Sequence, residues 1–276
     1  MDTHWQLVAY VFVSIVLRIV AGQLTRRRAA DVAWVRFLSE GWPASIARFV
    51  YYIGLPYVTV ILGVVPGRYL GLVGSDKIQT GVPLAASQAG LLVHLRDYLS
   101  LLVLGWLSGV GVLLGLAVIA LFFLGVAWAA YGYFKASLVS GDRITPAFLP
   151  LESVSLTQTL YQAVHWSFYR GAVWLLADDL YLGVVGGIIL VGGEWVLDTG
   201  WMKRIGHSPW REVLLIDASV LIASAVIFFF VPNLWLVLPV QWLLEVTCHR
   251  MVKVGYEQAS ASCSRYVLRQ TGQRAP

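Results

Sequence analysis

Residues 160–176, LYQAVHWSFYRGAVWLL, form an apolar run that carries His165 and Arg170 five positions apart. Three later apolar runs each hold one acidic residue, Glu194, Asp217 and Glu245. Imidazole and carboxylate together can relay protons or activate a water for hydrolysis, and they also suit zinc and similar ions. In the last run Gln241, Glu245 and His249 recur every four residues, so on a helix they form one polar stripe. A polar group set in an apolar segment marks a functional site by default. No HExxH-type spacing accompanies these residues.

The elements that must carry them are membrane helices. Hydrophobic residues make up 58% of the 276 and charged residues 13%, against about 45–50% and about 25% in soluble domains. The net charge of +5 is the difference between 20 Lys+Arg and 15 Asp+Glu; in such a chain its distribution matters more than its sum, and it does not argue for nucleic acid. Stretches of about 20 apolar residues bounded by charge, Pro or Gly predict seven spans in an all-α bundle. They are Trp5–Gln23, Trp42–Val65, Leu104–Tyr131 after an amphipathic lead-in around His94–Leu101, Leu160–Ala177, Leu180–Leu197, Glu212–Val231 and Leu234–Val254. Asp178-Asp179 and Pro232-Asn233 leave room only for tight turns, so the flanking spans must be antiparallel neighbours. Gly105, Gly109, Gly111, Gly115 and Gly125 of the third span are a candidate face for close helix packing.

Basic residues cluster after the odd-numbered spans. Arg26, Arg27, Arg28, Arg36 and Arg48 follow the first, Lys135 and Arg143 the third, Lys203, Arg204 and Arg211 the fifth, and Arg250, Lys253, Arg265, Arg269 and Arg274 the seventh. The opposite connections hold Arg68, Lys77 and Arg96. By the positive-inside rule the N-terminus is outside and the C-terminus cytoplasmic. Cys248 and Cys263 show no disulfide or metal spacing and read as free thiols on the reducing side. The first span lacks a preceding basic region and a cleavage site, and so reads as a retained helix.

Counted from the cytoplasmic end at about 1.5 Å per residue, His165, Glu194, Asp217 and His249 fall roughly 6–11 Å deep, and Arg170 and Glu245 roughly 13–18 Å. An unpaired arginine at that depth costs several kcal/mol, so Glu245 is its expected partner. The same pair can serve simply to fix helix register. Glu194 and Asp217 can equally be edge residues that reach water.

The stretch His165-Trp166-Ser167-Phe168-Tyr169-Arg170-Gly171 resembles the first motif of the CPBP family of membrane-embedded CAAX-processing and bacteriocin-immunity proteases, a Glu pair, three residues, then Arg and often Gly. Gln241-Trp242-Leu243-Leu244-Glu245 resembles the family's last motif, a His with Asn or Asp four residues on. The resemblance spans about residues 150–255. With the span reading, it divides the chain into a three-span region at 1–134, a cytoplasmic linker at 135–159, a four-span CPBP-like core at 160–256 and a cytoplasmic tail at 257–276, mobile or partner-bound, and the expectation is a multi-pass protein of a bacterial plasma membrane. Yet His165 and Trp166 stand where the family has its glutamates, Gln241 stands at the His, and the middle motif has no clear match around Glu194. Tryptophan is no general base.

Two functions follow. The first is a non-proteolytic membrane subunit or interaction protein, bound to lipid and to other membrane subunits, with no cofactor. The second is a rewired intramembrane hydrolase whose candidate site comprises His165, Arg170, Glu194, Gln241, Glu245 and His249. In that case Glu194 or Glu245 is the base and His165 or His249 its partner, or the two histidines hold a divalent metal.

Overall fold

The computed structural model describes residues 3–27, 42–72, 88–138, 154–198 and 208–272. Among them there is no strand, and seven long helices follow one another. They are α1 (Thr3–Arg27), α2 (Trp42–Ile61), α3 (Gln88–Leu138), α4 (Leu156–Ala177), α5 (Leu180–Leu197), α6 (Ser208–Phe230) and α7 (Leu234–Gly272). Each apolar segment expected from the sequence is thus helical. The lead-in at 94–101 is continuous with the third segment, which makes α3 51 residues long. α7 likewise runs on to Gly272, through most of the segment read as a tail.

Four helical stretches are long and apolar enough to cross a membrane: Trp42–Ile61, Gly109–Gly132, Leu180–Leu197 and Arg211–Phe230. The chain is membrane-embedded by this measure. The apolar part of α1, His4–Val20, is shorter, and the polar residues of α4 and α7 dilute those two helices. The surface carries the apolar character: Phe12, Val118, Phe122 and Ile189 are each at least 65% exposed, whereas Ser14, Thr159, Ser167 and Gln241 are fully buried. Apolar outside and polar inside is the distribution that hydrocarbon demands.

Both expected hairpins form. At the first, Asp178 takes a left-handed conformation (φ 52°) that ends α4, and Asp179 caps α5 by accepting from the Leu182 amide at 2.9 Å. At the second, the Asn233 side chain accepts from the Trp235 amide at 3.1 Å. Gly71, at φ 78°, brings the segment after α2 onto this turn, where its carbonyl accepts from the Leu234 amide at 2.9 Å.

Contacts at the two ends of the bundle show that successive helices alternate in direction. Toward one end the C-terminal half of α1 meets the middle of α2 through Arg18 and Tyr52, and the end of α5 through Asp198. The end of α3 meets the start of α6 there through Tyr131 and Glu212, and α4 begins beside α7 through Thr159 and Glu245. At the other end Gly171 lies under the Tyr69 carbonyl, and Gly109 lies beside Val231 and Leu236.

Helix α5 approaches α4 through glycines that the sequence reading passed over. A Cβ on Gly183 would stand 2.5 Å from Trp174 Cβ and 2.9 Å from its Cα; on Gly187 it would stand 2.4 Å from Arg170 Cγ and 3.0 Å from its backbone. On α3 only part of the expected face packs: Gly109 and Gly125 touch α7, while Gly111 and Gly115 face open space. Equal spacing in the sequence does not say which side a neighbour occupies.

Gly183→Ala is therefore expected to destabilise the bundle by about 1–3 kcal/mol, with a matching fall in thermal midpoint in detergent. Gly111→Ala, which meets nothing, should stay within about 0.5 kcal/mol of the parent or rise slightly.

Candidate functional site

The sequence candidates fall into two clusters and one isolated group. All lie in the part of the bundle that faces the basic connections or at its middle.

The first cluster is built by α1, α2, α4 and α5. His165, 2% exposed, turns its Nε2 toward Glu194 Oε2 at 3.0 Å. Tyr51 donates its hydroxyl hydrogen to the other carboxylate oxygen, Glu194 Oε1. The Tyr51 oxygen also lies 3.2 Å from His165 Nε2. Because Nε2 faces a carboxylate, the ring must carry a hydrogen there; His165 Nδ1 is buried without a partner. Around this trio, Arg18 donates to the Tyr52 hydroxyl at 2.9 Å and reaches Asp198 at 3.8 Å. Ser14 and Tyr169 share a hydrogen bond of 3.0 Å. Tyr52 stacks on Tyr161, with centroids 5.7 Å apart, and sets its edge against His165.

Adjacent tyrosines on a regular helix diverge by about 100°, and one of them would leave the interior. Here Val50–Gly54 form a π turn, closed by the Leu55 amide bonding back to the Val50 carbonyl. Pro56 follows immediately. Proline has no amide hydrogen and crowds the carbonyl four residues before it, which is that of Tyr52; the wider turn relieves this and keeps both rings facing α4. Tyr51, Tyr52, Arg18 and Ser14 were not singled out from the sequence. One signal was available, since Arg18 is a charge inside the first apolar run.

The second cluster joins α4 and α7. Thr159 donates to Glu245 Oε2 at 2.7 Å, and Gln241 Nε2 donates to Glu245 Oε1 at 3.3 Å. His249 turns Nδ1 onto the backbone carbonyl of Glu245 at 2.9 Å. Asp217 of α6 is half-buried and makes no hydrogen bond among the described residues. Gln241 Oε1 is buried and unpartnered.

Arg170 stands apart, and the expected pairing with Glu245 does not occur. Its Nε donates to the Trp166 carbonyl at 3.2 Å and its Nη1 to the Ser224 carbonyl at 3.3 Å, while the guanidinium lies 4.6 Å over the Phe228 ring. No carboxylate reaches it among the described residues, and its Nη2 has no partner. The two residues do lie at similar depth, but depth along a helix leaves the direction around the axis open. Ser224 and Phe228, one turn apart on α6, take the face that Glu245 was expected to fill.

His165 and His249 likewise stand in different clusters. Among the described residues no three His, Cys, Asp or Glu side chains converge in a way that would hold a metal ion. The layer of similar depths was informative in one case, since His165 and Glu194 do meet.

If Tyr51, Glu194 and His165 act as one interhelical tie, Tyr51→Phe and Glu194→Gln should not add. Single interhelical hydrogen bonds in membranes average about 0.6 kcal/mol and reach about 1.7; the double-mutant cycle should return a coupling of about 0.5–3 kcal/mol in unfolding experiments. Arg170 behaves differently. Without an anionic partner to orphan, Arg170→Met should be neutral or stabilising, while Arg170→Ala leaves a cavity and should cost about 2–5 kcal/mol.

No protein-family model, curated protein or solved structure matches this chain.

Proposed function

We propose that the chain is a non-proteolytic subunit or interaction protein of a bacterial plasma membrane. In this reading it has seven spans, an external N-terminus and a cytoplasmic C-terminus, and its last four helices are a degenerate relative of the CPBP scaffold. One observation supports the proposal: each buried glutamate near the candidate motifs has both oxygens hydrogen-bonded to protein side chains. Glu194 is held by Tyr51 and His165, and Glu245 by Thr159 and Gln241. A carboxylate that activates water must have that water within about 3 Å, and in this reading these two carboxylates serve instead to hold side chains in place.

The positions that resemble the family's motifs are also divided. His165 belongs to the α1/α2/α4/α5 cluster and Gln241 with Glu245 to the α4/α7 cluster, and no hydrogen bond or ring contact joins them among the described residues. A peptidase needs its base and its assisting groups around one water. Here the same residue types cross-link helices.

The seven-span orientation draws on two independent features. Contacts of Arg18 with Tyr52 and Asp198 and of Tyr51 with His165 fit helices of alternating direction, in which the C-terminal end of α1 and the N-terminal ends of α2 and α4 share one side, the side of the basic connections of the sequence. Both polar clusters lie toward that end.

The test is purification of the intact chain from its membrane in mild detergent, with topology reporters on either terminus. The expected result is a reporter active in the cytoplasm only at the C-terminus, and a protein that migrates with further membrane subunits. A free monomer that hydrolyses peptides, with the activity lost in Glu194→Gln or Glu245→Gln, would overturn the reading.

A further inference from the structure

Glu194 is an acidic side chain enclosed in the bundle, 5% exposed. Among the described residues, the group in direct contact with it that can carry positive charge is His165, with Nε2 at 3.0 Å from Oε2. Tyr51, which meets the other oxygen, is a neutral donor. An ionised carboxylate in an apolar interior is far less costly beside a cation than beside neutral donors alone.

The other charged groups around this cluster are directed elsewhere. On α1, Arg18 donates to the Tyr52 hydroxyl and reaches Asp198 at 3.8 Å. On α2, Arg48 lies about one turn before Tyr52 and is exposed. On α4, Arg170 is turned onto the Trp166 and Ser224 carbonyls. On α7, Glu245 meets Thr159 and Gln241 rather than this cluster. Helix α5 and its end thus bring in two acidic groups, Glu194 and Asp198. Arg18 balances one of them, and a proton on His165 balances the other.

The surroundings of the imidazole are an independent observation. The rings of Tyr169 and Tyr51 have centroids 4.6 and 4.9 Å from that of His165, inside the distance of about 6 Å over which an aromatic ring attracts a cation. His165 Nδ1 meets no hydrogen-bond donor that would favour leaving it bare.

We propose that His165 and Glu194 form a proton-binding site, in which the folded protein holds His165 as an imidazolium paired with the Glu194 carboxylate and so makes the α2/α4/α5 junction sensitive to pH. Loss of that proton leaves Glu194 a buried charge without its partner. An exposed imidazole in the unfolded chain gives up its proton near neutral pH. Above about pH 6.5 the folded state therefore holds more protons than the unfolded one, and stability falls as pH rises. One proton corresponds to a rise of at most tenfold in the unfolding constant per pH unit.

The test uses the intact chain in detergent and two readings. The first is nitrogen NMR of histidine-labelled protein at about pH 7, with His4, His94, His207 and His249 changed to glutamine so that the signal belongs to His165. Both ring nitrogens should carry hydrogen. The second is the unfolding constant between about pH 6.5 and 9. It should rise more steeply in the parent than in Glu194→Gln, which removes the charge that holds the proton, and the slope should persist in His4→Gln, whose side chain is exposed. A neutral His165 ring with a bare Nδ1, or a slope that Glu194→Gln leaves unchanged, overturns the proposal. If Glu194→Gln does not fold, the NMR reading decides alone. Neither reading involves a partner subunit or a peptide substrate, so failure here leaves the subunit reading intact.

Discussion

The controlling constraint is that a polar side chain inside hydrocarbon has no water to fall back on and must find its partner within the protein. Four of the seven helices alone are unmistakably apolar. The other three carry most of the polar residues that the bundle encloses, and each of those residues dictates a neighbour. His165 draws α5 and α2 to α4 through Glu194 and Tyr51. Arg18 draws α1 to α2 and α5. Thr159 draws α4 to α7. Glycines at 183 and 187 then let α5 lie directly against the backbone of α4, which places Glu194 within reach of His165.

Much of this arrangement is legible in the sequence, and what is not has a definite physical reason. Segment positions and the two hairpins follow from apolar length and from Asp178-Asp179 and Pro232-Asn233, because both are local properties. The meeting of His165 with Glu194 follows from height along antiparallel helices. Height fails for Arg170 and Glu245, since rotation about the helix axis depends on every packed neighbour at once. The packing glycines on α3 were half misread for the same reason: Gly111 and Gly115 share the spacing of Gly109 and Gly125 but face away. Tyr51 and Tyr52 were hidden by the π turn, which alters the 3.6-residue period that a sequence reading assumes.

Polarity in a membrane interior is commonly taken as a sign of chemistry, and residue by residue the alternative has more support here. Glu194 has a protein partner on each of its two oxygens. Arg170 meets carbonyls and an aromatic face rather than a counter-ion, and its Nη2 is left without a partner among the described residues. Gly171, which follows it in the motif-like stretch, serves to admit the Tyr69 carbonyl. Residues that would read as motif positions thus have structural duties that account for their type.

The central claim is that the polar interior is closed and cross-linked rather than open to substrate water, and Ser167 offers the most direct way to test it. Its side chain is fully buried on α4, between His165 and Arg170 in the chain, and its hydroxyl has no partner that a sulfur would displace. In a chain carrying Ser167→Cys with Cys248 and Cys263 replaced by alanine, the rate of modification by a membrane-impermeant thiol reagent measures water access. The account predicts negligible labelling of the folded protein in membranes and full labelling only after denaturation. Rapid labelling of the folded protein would contradict it and point to a hydrated cleft.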